Sequence, residues 1–158
     1  MKFTGKVFCA TLIVIALAFG IGSYLLVAAG FDGQLKREIS RSLEEHVLLR
    51  FALETAAVNA PKQDGVLTDE SLASVVEQLE GSQSQTGRGT RLTNRDNGTI
   101  LYQNEKAKGD AAWTAGIADS EQLYQIIQEE GGGFYIQVAC AISVGGRKVV
   151  LETIRNIT

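Results

Sequence analysis

The chain contains few of the residues on which enzyme active sites and metal centres are built. Its 158 residues include one histidine, two cysteines and one tryptophan. One histidine and two widely separated cysteines do not form a metal-spaced cluster, and no GxxxxGK[ST] phosphate loop is present. We therefore expect no metal site, no cofactor and no catalytic residue in this chain.

Charge is absent from one long stretch, Val7 to Ala29, which follows Lys2 and Lys6. About 20 apolar residues in a helix cross the hydrocarbon core of a bilayer, so this stretch is long enough to span a membrane. Basic residues on a short flank favour the cytoplasmic side for that flank. We predict a cytoplasmic stub at 1–6, a single-pass transmembrane helix at 7–29 and an extracytoplasmic domain at 30–158, all in the cell membrane with membrane lipid as a partner.

A cleaved secretory signal is the alternative interpretation of the apolar stretch. Val27, Ala28 and Ala29 are small residues of the kind that precede a cleavage site. Signal peptides, however, have apolar cores of roughly 7–15 residues, which is shorter than this stretch. An uncleaved anchor is favoured, and the remainder is exported in either case.

The exported part is acidic and has a single cysteine. Only two of the fifteen basic residues precede the span, which leaves thirteen basic against eighteen acidic residues and a net charge near −5. This balance argues against a nucleic-acid partner. Since Cys140 is the only cysteine outside the span, no intramolecular disulfide is expected there.

A long amphipathic helix is predicted from Leu35 to about Asn59, and Pro61 follows it. No proline separates this helix from the span, so the two can be continuous. His46 lies among charged residues of the pattern and is interpreted as a helix-surface residue. The apolar residues recur every four positions: Leu35, Ile39, Leu43, Val47 and Phe51.

Two further helices are predicted from capping signals. The first begins at Thr68 or Asp69 and ends near Gly81. The second begins with the capping-box-like residues Asp119 and Gln122, and the glycines at 131–133 follow it. Its apolar residues are Leu123, Tyr124, Ile126 and Ile127.

Two hairpins are predicted from strand periodicity. In the first, the residues Asp96-Asn97-Gly98 form the turn, because Asn-Gly is a strong signal for a tight hairpin turn. In the second, apolar residues alternate from Phe134 to Val144, and Gly145-Gly146 form the turn. Pairing across that turn places Ile142 opposite Val149 and Cys140 opposite Leu151. The predicted class is α+β, with a long N-terminal helix and an antiparallel sheet of at least four strands.

A long helix after a first membrane span, followed by Arg91-Leu92-Thr93 and Asn97-Gly98-Thr99-Ile100-Leu101-Tyr102, resembles the extracytoplasmic sensor region of bacterial sensor histidine kinases. In that family a basic residue and a strand lead into a (D/N)-G-T-(V/I)-L-(Y/F) hairpin of a PAS-like or Cache-like sheet. The resemblance covers nearly the whole chain, but its motif is short and the layout also occurs in chemoreceptors and cyclase sensors. It implies that a second span, a phosphoacceptor histidine helix and an ATP-binding domain follow in the parent kinase, a protein-histidine phosphotransferase.

The resemblance also implies a ligand site on the concave sheet face or on the loop that crosses it. A small molecule or a peptide is the expected signal. The polar and aromatic candidates for the wall of this site are Arg91, Tyr102, Trp113 and Tyr135. Packing and strand-surface roles are the alternative for each of them, and Arg88, Arg91 and Arg95 are expected to be solvated strand charges rather than an anion site.

Dimeric sensors of the same family imply a parallel homodimer through Leu35, Ile39, Leu43 and Val47. The apolar stripe on the first helix fits this contact, although it also fits packing against the chain's own sheet. Apart from the receptor, the alternative function is a complete, signal-anchored exported protein that binds a partner and has no cytoplasmic output. The two differ in whether the reading frame continues past Thr158 into a second apolar run.

Overall fold

The computed structural model describes residues 2–63, 65–82, 87–108, 112–114, 116–119, 121–129 and 131–157. The chain forms two compact units, Met1–Glu38 and Ile39–Thr158. The first unit contains most of the apolar N-terminal segment, and the second contains the sheet. The boundary lies after the predicted start of the extracytoplasmic domain at residue 30.

Helix α1 runs from Lys2 to Asn59. It includes one candidate membrane span, whose most apolar window has no buried residues within the protein. Such a helix near the N-terminus is consistent with a single-pass membrane protein. Helical structure through the predicted amphipathic region is thus confirmed.

The part of α1 from Ile39 onward packs on the sheet through a face that the four-residue pattern did not single out. Its buried residues are spaced three or four apart, as one helix face requires: Ser42, His46, Leu49, Leu53 and Ala57. Val47 and Phe51, which belong to the predicted stripe, are exposed instead, with Leu48 and Val58 beside them. The interpretation of His46 as a surface residue is wrong, because its side chain is 1% exposed.

After α1, the short strands β1 (Lys62–Gln63) and β2 (Val66–Leu67) lead into helix α2 (Asp69–Ser82). The Thr68 hydroxyl accepts a hydrogen bond from the Ser71 amide (3.2 Å) and so caps α2. This helix is confirmed, and it extends through Gly81 to Ser82.

Five strands form one antiparallel sheet. These are β3 (Gly89–Asn94), β4 (Ile100–Gln103), β5 (Gln122–Gln128), β6 (Phe134–Val144) and β7 (Arg147–Asn156). Their order in the sheet is β4-β3-β7-β6-β5. The α+β class and the antiparallel sheet are confirmed.

Both predicted hairpins are present. Pairing of β6 with β7 places Ile142 opposite Val149 and Cys140 opposite Leu151, as predicted. Gly145 and Gly146 both have positive φ, which a two-residue hairpin turn of this kind requires. The β3–β4 hairpin closes around Gly98 and has a register shift between Leu92 and Thr93.

The helix predicted from Asp119 is wrong, because Gln122–Gln128 forms strand β5. Along β5, half-buried and exposed residues alternate, which is the period of a strand. Two isoleucines and a tyrosine favour a strand, and the strand pairs with β6 over its full length. The capping residue Asp119 instead forms an isolated bridge with Ala141.

The two faces of the sheet are covered differently. Both helices pack on the face that carries Leu92, Cys140 and Leu151, which we call the helix-covered face. The other face carries Arg91, Glu152 and residues that alternate with the apolar set, and we call it the opposite face. No helix lies on the opposite face among the described residues; the segment between β4 and β5 packs there instead.

Candidate functional site

Polar side chains form a continuous hydrogen-bonded chain across the opposite face. One member comes from each strand of the sheet, so the chain runs from one sheet edge to the other. In sheet order its members are Gln103, Arg91, Glu152, Gln137 and Gln125. We call this set the polar chain.

The polar chain is centred on an ion pair. Arg91 Nη1 donates to Glu152 Oε2 (3.0 Å), and Gln137 Nε2 donates to Glu152 Oε1 (3.2 Å). Gln125 Nε2 then donates to Gln137 Oε1 (3.1 Å), and at the other end Arg91 Nε donates to Gln103 Oε1 (3.4 Å). Both carboxylate oxygens of Glu152 therefore accept a hydrogen bond.

The centre of the polar chain is removed from water. Arg91 is 3% exposed, and Gln137 and Glu152 are fully buried. Burial raises the pKa of the Glu152 carboxyl above its ordinary value, although Arg91 and Gln137 oppose this shift. The attraction between Arg91 and Glu152 offsets the cost of removing both charges from water, and this attraction depends on the close contact of the pair.

The described residues between Asn104 and Glu121, which we call the crossing segment, lie over the polar chain. Arg91 Nη2 and Gln103 Nε2 donate to the Ala107 carbonyl (3.4 and 3.0 Å). Gly89 has no side chain at the point where this segment passes closest; a Cβ atom there would meet the Lys106 carbonyl. The main chain of the crossing segment thus lies directly on β3.

An apolar cluster fixes the second half of the crossing segment. Trp113 belongs to a short 3-10 turn, Ala112–Thr114. Ile117 is buried, and the Arg95 guanidinium donates to its carbonyl (2.7 Å) and pairs with Asp119. The remaining members of this cluster are Leu123, Ala139, Ala141 and Val150. The small residues of β6 accommodate a loop with aromatic and aliphatic side chains.

Trp113 lies close enough to Glu152 to lower the pKa of that carboxyl. Its indole Nε1 is nevertheless buried and makes no hydrogen bond of good geometry with any described residue. A buried indole N–H without an acceptor costs free energy. The Glu152 carboxylate is the acceptor that the indole N–H approaches.

Of the four predicted site residues, the structure brings Arg91 and Trp113 together around Glu152. Tyr135 lies on the same face, and its hydroxyl donates to Glu129 (2.8 Å) with the Lys108 ammonium 5.7 Å from its ring centre.

Tyr102 does not belong with the other three. It pairs with Leu92 and packs against the core of the helix-covered face. Burial, followed by the charges of Glu80 and Glu77, raises the pKa of its hydroxyl. Its position separates it from the polar chain by the thickness of the sheet.

The arginines that were expected to be solvated strand charges each pair with a carboxylate of the chain itself. Arg88 Nη2 contacts Glu80 Oε1 (2.6 Å) and is 4% exposed, and Arg91 is equally buried against Glu152. The expectation is wrong for these two, because each guanidinium is buried against a carboxylate of the chain. The three do not form a shared anion site.

A second buried polar centre, missed by the sequence analysis, links α1 to the helix-covered face. His46 Nδ1 lies 2.9 Å from Thr153 Oγ1, and His46 Nε2 lies 3.1 Å from Cys140 Sγ. Burial and the charges of Arg88 and Arg50 lower the pKa of His46 to about 3. Burial raises the pKa of the Cys140 thiol to about 11. At neutral pH the neutral imidazole donates one hydrogen bond and accepts the other.

A groove of about 560 Å³ lies between the end of α1 and helix α2, with Pro61 and Val75 in its walls. None of the predicted site residues lines it. No group of three or more potential metal ligands occurs within the described residues.

The sequence offered one faint signal for the polar chain. On β7, Glu152 stands between Val150 and Ile154 in a pattern that is otherwise apolar on that face. A lone acid at a buried strand position needs a partner, and Arg91 becomes that partner only once β3 pairs with β7.

The polar chain combines a cation, an anion and three amides, and the Trp113 indole lies close to Glu152. The buried thiol and imidazole of Cys140 and His46 are on the other face and are both neutral, so they are poor nucleophile and base. Comparisons of this chain with protein-family models, characterised proteins and solved structures found no match.

Proposed function

We propose that the exported domain is the signal-sensing region of a membrane-bound sensor histidine kinase, and that its signal binds between the sheet and the crossing segment. A long apolar N-terminal helix and an antiparallel sheet domain fit a membrane-anchored protein with a sensor domain. The polar chain supports the proposal, because it places Arg91 and Glu152 beneath the crossing segment, next to the Trp113 indole.

A ligand with both polar and charged groups fits this position. On binding, the Arg91 guanidinium would exchange its contact with the Ala107 carbonyl for a carboxylate or phosphate of the ligand, and Glu152 would accept from an ammonium group. A ligand would enter by displacing contacts of the crossing segment to the sheet, chiefly those of Ala107 and Ile117. The resulting shift in the sheet would pass through His46 to α1 and so toward the membrane.

The fluorescence of Trp113 gives a direct test of the proposed ligand site, because Trp113 is the only tryptophan of the chain. The full chain in lipid nanodiscs is screened against amino acids, dicarboxylates, sugar phosphates and short peptides. A true signal is expected to raise the melting temperature and to shift the Trp113 emission at the same concentration. At a concentration of 100 times Kd, binding adds about 2.7 kcal/mol to the free energy of unfolding.

The Trp113→Phe variant is the control, since it keeps an aromatic ring but loses the indole. It should melt near the temperature of the parent and bind the ligand more weakly. A compound that stabilises the protein while the Trp113 emission is unchanged binds elsewhere and contradicts the proposed site.

The kinase assignment has a separate test. If the chain is the input region of a histidine kinase, the reading frame continues past Thr158 into a second apolar run of about 20 residues and a phosphoacceptor helix. A stop codon directly after Thr158 favours the alternative function, an anchored exported binding protein without cytoplasmic output.

We further propose that two copies pair in parallel through α1, with the N-terminus of each in the cytoplasm. Val47, Leu48, Phe51 and Val58 form an exposed apolar strip on α1 that does not contact the chain's own sheet. Leu35, Ile39 and Leu43, the other predicted contact residues, are half-buried. Two parallel helices anchored in one membrane bring such strips together without reversing either chain.

Single cysteines at Leu35, Ile39, Leu43, Val47 and Phe51, introduced in a Cys9→Ser background, are expected to form disulfide-linked dimers in membranes. The Cys140 thiol is buried and has a raised pKa, so it should not react. Cross-linking should recur every three or four residues, as one helix face requires.

The matched control for these cysteines is Ser42→Cys, because Ser42 lies on the buried face of the same helix. This variant should form no disulfide-linked dimer under oxidation. Cross-linking at Ser42 equal to that at the five test positions, or none at any position, would contradict a helix-mediated dimer.

A further inference from the structure

The two edges of the sheet differ in how well they are protected from pairing with another strand. The β4 edge has four residues and a register shift where it pairs with β3. The β5 edge has seven residues, Gln-Leu-Tyr-Gln-Ile-Ile-Gln, without a charge, a proline or a register shift. Natural proteins protect exposed edges with such features, so their absence from β5 marks this edge as a pairing surface.

The hydrogen-bond pattern shows which main-chain groups of β5 point outward. The Glu129 amide donates to the Gly133 carbonyl, and the Ile157 amide donates to the Phe134 carbonyl. Hydrogen-bonded and non-hydrogen-bonded residue pairs alternate along antiparallel strands, and Glu129 with Gly133 is a hydrogen-bonded pair. The main-chain groups of Leu123, Gln125 and Ile127 therefore bond to β6. The outward-pointing N–H and C=O groups therefore belong to Gln122, Tyr124, Ile126 and Gln128. None of them has another main-chain partner among the described residues.

The side chains beside this edge are apolar and exposed. Tyr124 is 51% exposed, Ile126 is 42% exposed and Phe134 is 38% exposed. All three project from the helix-covered face of the sheet, near its β5 edge. An added strand would bury these three side chains and at the same time pair the free main-chain groups.

We propose that the β5 edge binds an extended segment of a partner protein or peptide by adding it to the sheet. The segment has an uncharged core with apolar residues at alternate positions, which face Tyr124 and Ile126. Basic residues flank that core, because Glu121 stands at one end of β5 and the exported part has a net charge near −5.

A second copy of the chain fits this edge less well. Glu45 pairs with Arg155, which lies opposite Ile136, and the Leu67 amide donates to the Gly145 carbonyl. The part of α1 in this unit therefore runs along β6 in the same direction as β6. If two copies paired through antiparallel β5 strands, the two-fold axis between them would be perpendicular to the sheet. The α1 helices of the two copies would then run in opposite directions. The Ile39 ends of the two copies would then point opposite ways, whereas the parallel pairing through α1 proposed above needs them to point the same way.

The test uses the full chain in nanodiscs and a labelled peptide in which the β5 sequence is flanked by a lysine at each end. Saturable binding is expected by fluorescence anisotropy. Hydrogen exchange should show that the peptide protects the Tyr124 and Ile126 amides, which exchange quickly in the free protein.

Ile126→Pro removes an outward N–H without breaking a bond to β6, so the fold should tolerate it. It is expected to weaken peptide binding by about tenfold, whereas the matched variant Ile126→Thr, which keeps the N–H, should lose much less. A peptide N-methylated throughout its core should not bind the unaltered protein, and this result does not depend on the folding of any variant.

Three results would overturn the proposal. One is equal binding of the peptide and its N-methylated form. Another is peptide binding by a folded Ile126→Pro variant with the parent's affinity. The third is protection of the Tyr124 and Ile126 amides before any peptide is added, which is the outcome expected if a second copy occupies the edge. Each of these results is independent of whether a ligand binds beneath the crossing segment, so the two proposals can fail separately.

Discussion

Replacing Glu152 by glutamine is expected to lower the free energy of unfolding of the domain by about 3 kcal/mol. The change keeps the size of the side chain but leaves the Arg91 guanidinium, which is 3% exposed, without a counter-charge. For a domain of this length the loss corresponds to a fall in melting temperature of roughly 10 °C. Thermal unfolding of the full chain in nanodiscs, followed by circular dichroism, measures it.

The reason for this large effect is the isolation of the pair from water. A surface ion pair contributes little, because solvent screens both charges. Glu129→Gln is the matched control, since Glu129 also pairs with a basic residue but is exposed. That variant should leave the melting temperature unchanged.

Replacing both members of the buried pair shows whether Glu152→Gln destabilises the domain because Arg91 loses its counter-charge or because the pair itself is lost. The double variant Arg91→Met with Glu152→Leu removes both charges and keeps apolar volume, so it should be markedly more stable than Glu152→Gln alone. If the double variant is less stable than either single variant, the pair stabilises the sheet beyond mutual charge compensation. That result would contradict the account given for Glu152→Gln.

The domain is expected to lose about 2 kcal/mol of stability between pH 7 and pH 5 because of His46 alone. The pKa of His46 is about 3 in the folded protein, whereas an unfolded histidine has a pKa near 6.5. Between these values the unfolded state binds a proton that the folded state excludes. Stability from His46 is therefore complete above pH 6.5 and is lost as the pH falls toward 3. Urea unfolding at a series of pH values measures the slope.

Other titrating groups also contribute to the dependence of stability on pH, so the effect of His46 has to be measured against a matched variant. The pKa of Glu45 is lowered by Arg155 and Arg41 against the opposing effect of burial, which adds acid sensitivity below about pH 4.5. The raised pKa of Glu152 acts in the opposite direction, since its stabilising effect is lost as the pH rises.

His46→Gln keeps a polar side chain on α1 but removes the titrating imidazole. Its stability should change less between pH 7 and pH 5 than that of the parent, because all other titrating groups are shared. If the two proteins have the same slope in this range, the imidazole is accessible to protons in the folded state. The contacts to Thr153 and Cys140 would then open readily.

Local patterns were enough to predict the two hairpins and helix α2. Asn97-Gly98 and Gly145-Gly146 impose turns through residues that accept positive φ, and the alternation from Phe134 to Val144 then fixes the register. These signals act between residues that are close in the chain. Arg91 and Trp113 both lie beside Glu152, although no local pattern indicated Glu152 as their neighbour.

The wrong helix prediction at β5 shows where local sequence patterns fail to predict the structure. Leu123, Tyr124, Ile126 and Ile127 fit either a short helix or a strand, and the capping residue Asp119 favoured the helix. The edge of β6 decided the outcome, because pairing along seven residues outweighs one cap. The same strand then became the exposed edge on which the proposed partner segment pairs.

The sequence by itself determined the apolar segment near the N-terminus, the antiparallel sheet and its hairpin turns, because composition and period are properties of neighbouring residues. Only the tertiary structure decided that His46 faces Cys140, that Arg91 faces Glu152 and that β5 lies at an edge. Each of these depends on which distant segments pack together. A buried charge or imidazole is stable only when that packing supplies its partner, and no local pattern records where the partner will come from.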